Sequence, residues 1–195
     1  MTTEPETNAS TTAEPSTADS AATAGSFQPE AYTTVTAWIT TEDTGALLDF
    51  ITAAFDGVEL GRVAVENGAI GHAEIKVGDT VLLAFDRSPD WPPMPSLLRI
   101  WVADPDATVA KATAAGARIL TELSDSAWGD RGGRVIDPFG NIWWVMSHVE
   151  DVPEAEMWQR MSDPKYAASM ENAQQTFDAE MTGRKGRASR PTAPA

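Results

Sequence analysis

The run Gly129-Asp130-Arg131-Gly132-Gly133-Arg134-Val135-Ile136-Asp137-Pro138-Phe139-Gly140-Asn141-Ile142-Trp143-Trp144-Val145 decides how this chain is folded. Asp137-Pro138-Phe139-Gly140 carries turn chemistry. Pro presets φ, Gly permits a positive φ, and the Asp carboxylate can accept from the backbone just beyond it. Arg131 to Ile136 leads in, and Asn141 to Met146 leads out as a β-rich apolar run. The stretch reads strand, tight turn, strand.

Upstream of it, Leu97 to Val102 reads as a strand. Asp104-Pro105-Asp106 caps a helix over 107–115 that Gly116 closes, and Arg118 to Leu123 is a further strand. A loop with Trp128 precedes the hairpin. The same order occurs earlier. Thr33 to Thr40 alternates, with Val35, Ala37 and Ile39 on one face. Thr41-Glu42-Asp43-Thr44 offers a helix cap, and Ala46, Leu47, Phe50, Ile51, Ala54 and Phe55 follow at helical spacing before Asp56-Gly57. Strands are expected over 58–66, 69–77 and 80–85, with Asn67-Gly68 as a hairpin signal. Gly78 matches Gly140, so the period is about 62 residues. The expectation is an α+β fold: two tandem βαβββ modules forming a curved mixed sheet around a cleft.

The remaining segments fall around those modules. Residues 1–30 hold no Lys or Arg and one aromatic, Phe27, and read as a disordered acidic tail. Module one is 31–86, a Pro-rich linker is 87–96, and module two is 97–148. A helical extension is expected over 149–181, broken at Asp163-Pro164, and a basic disordered tail over 182–195.

The formal net charge of −15 argues against phosphate backbones and anionic membranes as partners. With no cysteine there is no disulfide, thiolate metal site or Cys nucleophile. No apolar run reaches the roughly 20 residues of a membrane span, and the N-terminus does not read as a secretory signal, so a cytoplasmic location is expected.

Asp130-Arg131, then Asp137-Pro138-Phe139-Gly140-Asn141-x-Trp143, after the Gly71-His72-Ala73-Glu74 strand, resembles the vicinal oxygen chelate superfamily. Within it the chain resembles the PhnB-like branch of the glyoxalase/bleomycin-resistance/dioxygenase proteins, as does His148-Val149-Glu150-Asp151-Val152 after the last strand. The resemblance covers about 31–160. It implies a two-fold homodimer and a small-molecule ligand. Enzymes of this superfamily hold a divalent metal through four side chains, one from the first and one from the last strand of each module. Here those positions fall at Thr36, Leu82, Leu97 and Trp144, and a one-residue slip brings in Ala37, Leu83, Leu98 and Trp143. Leu and Trp cannot ligate a metal and a Thr hydroxyl is a poor ligand, so no metal and no other cofactor is expected.

Alternation then assigns the cleft face. Leu98, Ile100 and Val102 suit the helix side, which leaves Arg99 and Trp101 with Leu97 toward the cleft. Thr36 and Trp38, then Trp144 and Met146 with Ile142, and His72 and Glu74 with Lys76 join them. The candidate ligand-binding set is Thr36, Trp38, His72, Glu74, Leu82, Arg99, Trp101, Trp128, Trp144 and Met146. His72 and Glu74, about 7 Å apart on one strand face, are candidates for acid–base work or for the start of a metal site; a polar, half-exposed strand face is the alternative. Arg99 can bind a ligand carboxylate or be held by Glu74. Asp130 and Arg131 are expected to brace their loop as a pair. Two functions stay open: metal-free binding of an aromatic or cationic molecule, as resistance proteins of the superfamily do, or a lyase, isomerase or dioxygenase-type enzyme using His72 and Glu74.

Overall fold

The structure, a computed structural model, describes residues 27–29 and 31–188. The acidic tail expected over 1–30 and residues 189–195 of the expected basic tail lie outside the described residues, apart from 27–29. The elements run β1 (Trp38–Thr41), α1 (Thr44–Phe55), β2 (Val58–Ala64), β3 (Ile70–Val77), β4 (Thr80–Asp86), then β5 (Leu97–Trp101), α2 (Pro105–Ala114), β6 (Arg118–Asp125), β7 (Asp130–Ile136), β8 (Ile142–His148), then α3 (Glu154–Met161) and α4 (Pro164–Ala188). The βαβββ order thus occurs twice. The strands form two four-stranded mixed sheets, β1-β4-β3-β2 and β5-β8-β7-β6. In each, the first and last strands of a module pair in parallel and the rest antiparallel.

Local chemistry explains most boundaries. The Asp43 carboxylate accepts from Ala46 N at 2.9 Å and caps α1, and Asp104 accepts from Ala107 N at 2.9 Å and caps α2; such a cap contributes about 1 kcal/mol. α1 ends on Asp56 in the left-handed region, not on Gly57. Gly57 is needed for closeness: a Cβ there would press on Ile51 and Ile75.

Two expectations fail at the edges. β1 begins at Trp38, not Thr33. The Thr33 hydroxyl donates to Val35 O and the Thr36 hydroxyl to Thr33 O, so side chains bend the backbone out of strand geometry there. Val35 is consequently exposed instead of buried. At the other end, the helix expected to stop at Met181 continues to Ala188 as part of α4, so 182–188 are not disordered.

One core joins the modules. Ile39, Leu47, Ile51, Ala73, Ile75, Leu82 and Ala84 of module one pack in the same cluster as Val109, Ala112, Val135, Trp143 and Val145 of module two. α1 packs against α2, the Phe55 and Trp143 rings lie 4.6 Å apart, and Lys111 Nζ reaches Asp56 at 2.8 Å. Each sheet therefore has an inner face toward this core and an outer face away from it. α4 lies on the second sheet along β6. Thr176 meets Thr121 at 2.7 Å, Ser169 donates to Ser124 at 2.6 Å, and Glu180 pairs with Arg118. β2, the counterpart of β6, is exposed along its whole length.

The repeat can be aligned from geometry. Trp38 stands five residues before the α1 cap Asp43, and Arg99 five before the α2 cap Asp104. A register shift falls between Glu59 and Gly61 in β2, and between Ile119 and Thr121 in β6. The cross-strand row Trp38–Leu83–Glu74–Gly61 therefore corresponds to Arg99–Trp144–Arg134–Thr121.

Candidate functional site

On the outer face of the first sheet, register puts Trp38, Leu83 and Glu74 side by side. The His72 ring meets Trp38 edge-on at 5.6 Å, Phe85 meets Trp38 edge-on at 5.5 Å, and Trp91 of the linker meets Phe85 at 6.2 Å. His72 Nε2 lies 2.9 Å from Glu74 Oε1. Hydrogen bonds from His72, and then from Tyr32, favour ionised Glu74 and hold its carboxyl below the usual glutamate value. Burial and then Glu74 push the Tyr32 hydroxyl above its usual value. This face is a carboxylate among aromatic edges.

The outer face of the second sheet is different. Trp144 carries two guanidinium groups: the Arg99 Cζ is 4.2 Å from its ring centroid and the Arg134 Cζ 4.3 Å. Arg99 also approaches Trp101 at 5.8 Å. Arg134 Nη1 donates to Ala173 O of α4 at 2.7 Å and to Thr121 Oγ1 at 3.3 Å, and Phe177 of α4 lies over it at 5.1 Å. A cavity of about 60 Å³ remains beneath α4, lined by Trp128, Arg134, Trp144, Met146, Met170 and Ala173 among others.

A larger cavity, about 560 Å³, opens between the modules. Phe55, Leu82, Leu98, Trp101 and Trp143 are among its apolar lining, and Asp79 and Arg99 supply its charge. Its volume lies in the range of small-molecule sites, and two packed modules are where such sites form.

The expected site residues thus fall in three places. Trp38, His72 and Glu74 share the first sheet's outer face. Trp128, Trp144 and Met146 line the small cavity under α4, and Leu82, Arg99 and Trp101 line the larger one. Thr36 precedes β1 and is half-buried, its hydroxyl turned back to Thr33 O. Arg99 does not meet Glu74, which is held by His72 and Tyr32 instead. Asp130 and Arg131 do not pair. Neighbours on a strand point to opposite faces, so Asp130 accepts from Trp128 Nε1 and meets His148 Nδ1, both at 2.8 Å, while Arg131 meets Asp106 and Asp125.

The metal positions implied by the resemblance also need a correction. Leu83, not Leu82, corresponds to Trp144, because both pair with the residue five before a helix cap. Leu82 faces inward to the core and the larger cavity. The slip arises at the turns. Val77 and Thr80 flank a two-residue turn, whereas Ile136 and Ile142 flank five residues, so aligning Gly78 on Gly140 misplaces β4 by one. The corrected set, Thr36, Leu83, Leu97 and Trp144, offers one hydroxyl and no carboxylate or imidazole, which does not fit a divalent cation. Among the described residues, no three His, Asp or Glu side chains converge as metal ligands.

Asp137 shows what the opening motif does. It is buried and accepts from Phe139 N, Asn141 N, Asn141 Nδ2 and Trp143 Nε1 at 2.8–3.0 Å. Asn141 Oδ1 in turn accepts from Ser96 N at 2.9 Å, which ties the hairpin to the start of β5. The motif builds the turn and touches neither outer face.

Sequence reasoning missed Arg134, Phe55, Tyr32, Phe85 and Trp91. Arg134 was legible: it lies two before Ile136 on a strand whose Val135 is apolar, so alternation alone places it opposite the core. Phe55 falls in the helical spacing of α1, so periodicity shows it only as helix core. Tyr32 and Trp91 sit outside regular elements, where periodicity carries no signal.

Comparison with known proteins agrees with this architecture. A profile of the Glyoxalase/Bleomycin resistance protein/Dioxygenase superfamily matches residues 31–145. Uncharacterized proteins of Mycobacterium bovis and Mycobacterium tuberculosis are each 37% identical to this chain over 136 residues, which is 62% of this chain and 87% and 78% of theirs. The crystal structure of TioX from Micromonospora is similar at 26% identity and a TM-score of 0.51, covering 59% of this chain and 98% of TioX. A Pseudomonas aeruginosa protein shares the fold at 18% identity and a TM-score of 0.50, covering 60% of this chain and 98% of that one. The twofold βαβββ order, the buried Asp137 turn and the profile match together place this chain in the Glyoxalase/Bleomycin resistance protein/Dioxygenase superfamily.

Proposed function

We propose that this protein binds a small aromatic molecule, cationic ones included, in the cavity between its modules and without a divalent metal. The observation that carries this is the cavity itself: about 560 Å³, walled by Phe55, Trp101 and Trp143. Aromatic walls favour planar ligands and cations. The charge of −15 attracts a cation over long range. The donor-poor set Thr36, Leu83, Leu97 and Trp144 supports the metal-free part of the reading.

The test is a fluorescence titration in buffer containing EDTA, with 1-methylquinolinium and 2-naphthol as probes. Binding without metal is expected, and Trp101→Ala, at an exposed position, is expected to weaken it about tenfold, which corresponds to about 1.4 kcal/mol. Binding that requires an added divalent ion, or that ignores Trp101→Ala, overturns the reading.

A second reading rests on the 2.9 Å contact of His72 with Glu74. In a lyase or isomerase, or a dioxygenase-type enzyme, the pair would move a proton, with ionised Glu74 orienting the ring. One tightly held equivalent of divalent metal in the purified protein, lost in His72→Ala, would favour it.

The assembly we infer is a two-fold homodimer, supported by the exposed Trp38, Val58, Leu60 and Val63 on the first sheet. No helix among the described residues is long and apolar enough to cross a membrane. A chain without cysteine suits a reducing cytoplasm.

A further inference from the structure

We infer that the Arg99–Trp144–Arg134 row on the second sheet is a binding site for a small oxyanion, a carboxylate or a phosphate. The site meets the proposed ligand cavity at Arg99, which belongs to both, while Trp144 and Arg134 lie outside that cavity. The inference does not rest on the function proposed above.

The first observation is the placement. β5, β8 and β7 bring Arg99, Trp144 and Arg134 into one cross-strand row. Their guanidinium carbons sit 4.2 and 4.3 Å from the same indole ring. Two like charges thus flank one indole, one from the strand on each side of it. Each stacks by cation–π attraction, and each leaves in-plane N–H groups for a further acceptor.

The second observation is the missing counter-charge. The chain holds 29 acidic residues against 14 Lys and Arg. Six of the arginines with described side chains each meet a carboxylate. Arg99 and Arg134 are the two arginines with described side chains for which no carboxylate partner is seen. Arg134 uses Nη1 on two neutral oxygens, Thr121 Oγ1 and Ala173 O. Burial first, and then the charge of Arg99, lower its affinity for its proton. In a chain this acidic, a paired and uncompensated set of guanidinium groups is an exception.

The third is the surrounding. Phe177 of α4 closes one side of Arg134, while Arg99 is exposed on the other. A planar carboxylate or a phosphate can therefore enter beside the exposed Arg99 at the rim of Trp144, where the Arg134 guanidinium on the far side of the ring adds its charge. The fork-shaped Arg99 guanidinium matches two oxygens of such a group. Thr121 and α4 hold the Arg134 end in place; in the first module the corresponding row carries Trp38 and Glu74, which cannot bind an anion this way.

The experiment is isothermal titration of the full chain with sodium benzoate and with inorganic phosphate, against sodium chloride at equal ionic strength. Binding of benzoate or phosphate above the chloride control is expected. Arg99→Gln is expected to weaken it at least tenfold, and Arg134→Gln to do the same. Arg118→Gln, which removes a different exposed guanidinium on the same sheet, is expected to leave it unchanged. If Arg134→Gln fails to fold, the exposed Arg99→Gln still decides. No heat above chloride for either anion, or equal weakening by Arg118→Gln, or retention in Arg99→Gln, overturns the assignment. Response to benzoate alone identifies a carboxylate as the natural class; response to phosphate alone identifies a phosphate, and both support the site.

Discussion

Glu74 and Arg134 hold the same place in the two modules. Each lies on the third strand and pairs across to the fourth, Glu74 to Leu83 and Arg134 to Trp144. Each also stands opposite the residue that follows a β-bulge, Gly61 or Thr121. The two halves therefore present opposite charge from equivalent positions on their outer faces. The repeat has kept its backbone and divided its chemistry.

The first prediction concerns Glu74. Its carboxyl sits below the ordinary 4.5 because His72, and then Tyr32, hydrogen-bond the ionised form. A lowered folded pKa contributes stability that is present above the unfolded value and lost as pH falls through the folded one. The gap in urea midpoint between wild type and Glu74→Gln should be full above about pH 5.5 and close as the pH falls below 4.5. A gap that grows on acidification would contradict the pairing.

His148 gives the opposite sign. Asp130 on Nδ1 and Asp151 on Nε2 raise its pKa above 6.5. The charged form is stabilised in the fold, so its contribution is complete below pH 6.5 and disappears as pH rises through the folded value. His148→Gln should therefore be most destabilised relative to wild type in mild acid. The two proteins should converge in denaturation midpoints taken toward about pH 9.

Asp137→Ala should be the costliest of these changes. It strands the buried Asn141 side chain and the Trp143 N–H, and it frees the turn that holds Ser96. A loss of about 3–5 kcal/mol in urea unfolding is expected. A loss under about 1 kcal/mol would mean water replaces the carboxylate.

Gly129→Ala tests backbone closeness. Gly129 has φ +90°, and a Cβ there would collide with the Glu150 carbonyl oxygen. Gly129 O also accepts from Val149 N and Glu150 N, so the collision cannot be relieved without breaking that link. A destabilisation of about 2 kcal/mol or more is expected, read from thermal unfolding.

Much of the fold was legible in sequence because it is written in local chemistry. Asp43 and Asp104 are helix caps that can be read without a partner, and Val135 between Arg134 and Ile136 shows its face by alternation. Of the strand expected from Thr33 to Thr40, residues 38–40 are strand and 33–37 are not, because the Thr33 and Thr36 hydroxyls compete for the same backbone that alternation serves. The site was harder. Alternation says that Trp38 and Trp144 share a kind of face, but not that the two faces look in different directions; that depends on α1 packing against α2, which is a long-range contact. Arg99 shows the limit well. Its side was readable, but its partners, Trp144 on one strand and Arg134 beyond it, follow only from sheet order.

The packing of Phe55 on Trp143, with Lys111 reaching Asp56, has a thermodynamic consequence. Neither half can lose its helix without opening the apolar interior of the other, so the duplicated units cannot melt independently. Calorimetry of the intact chain should give one heat-absorption peak, with the enthalpy from its shape equal to that from its area. The two modules are expected to unfold as a single cooperative body.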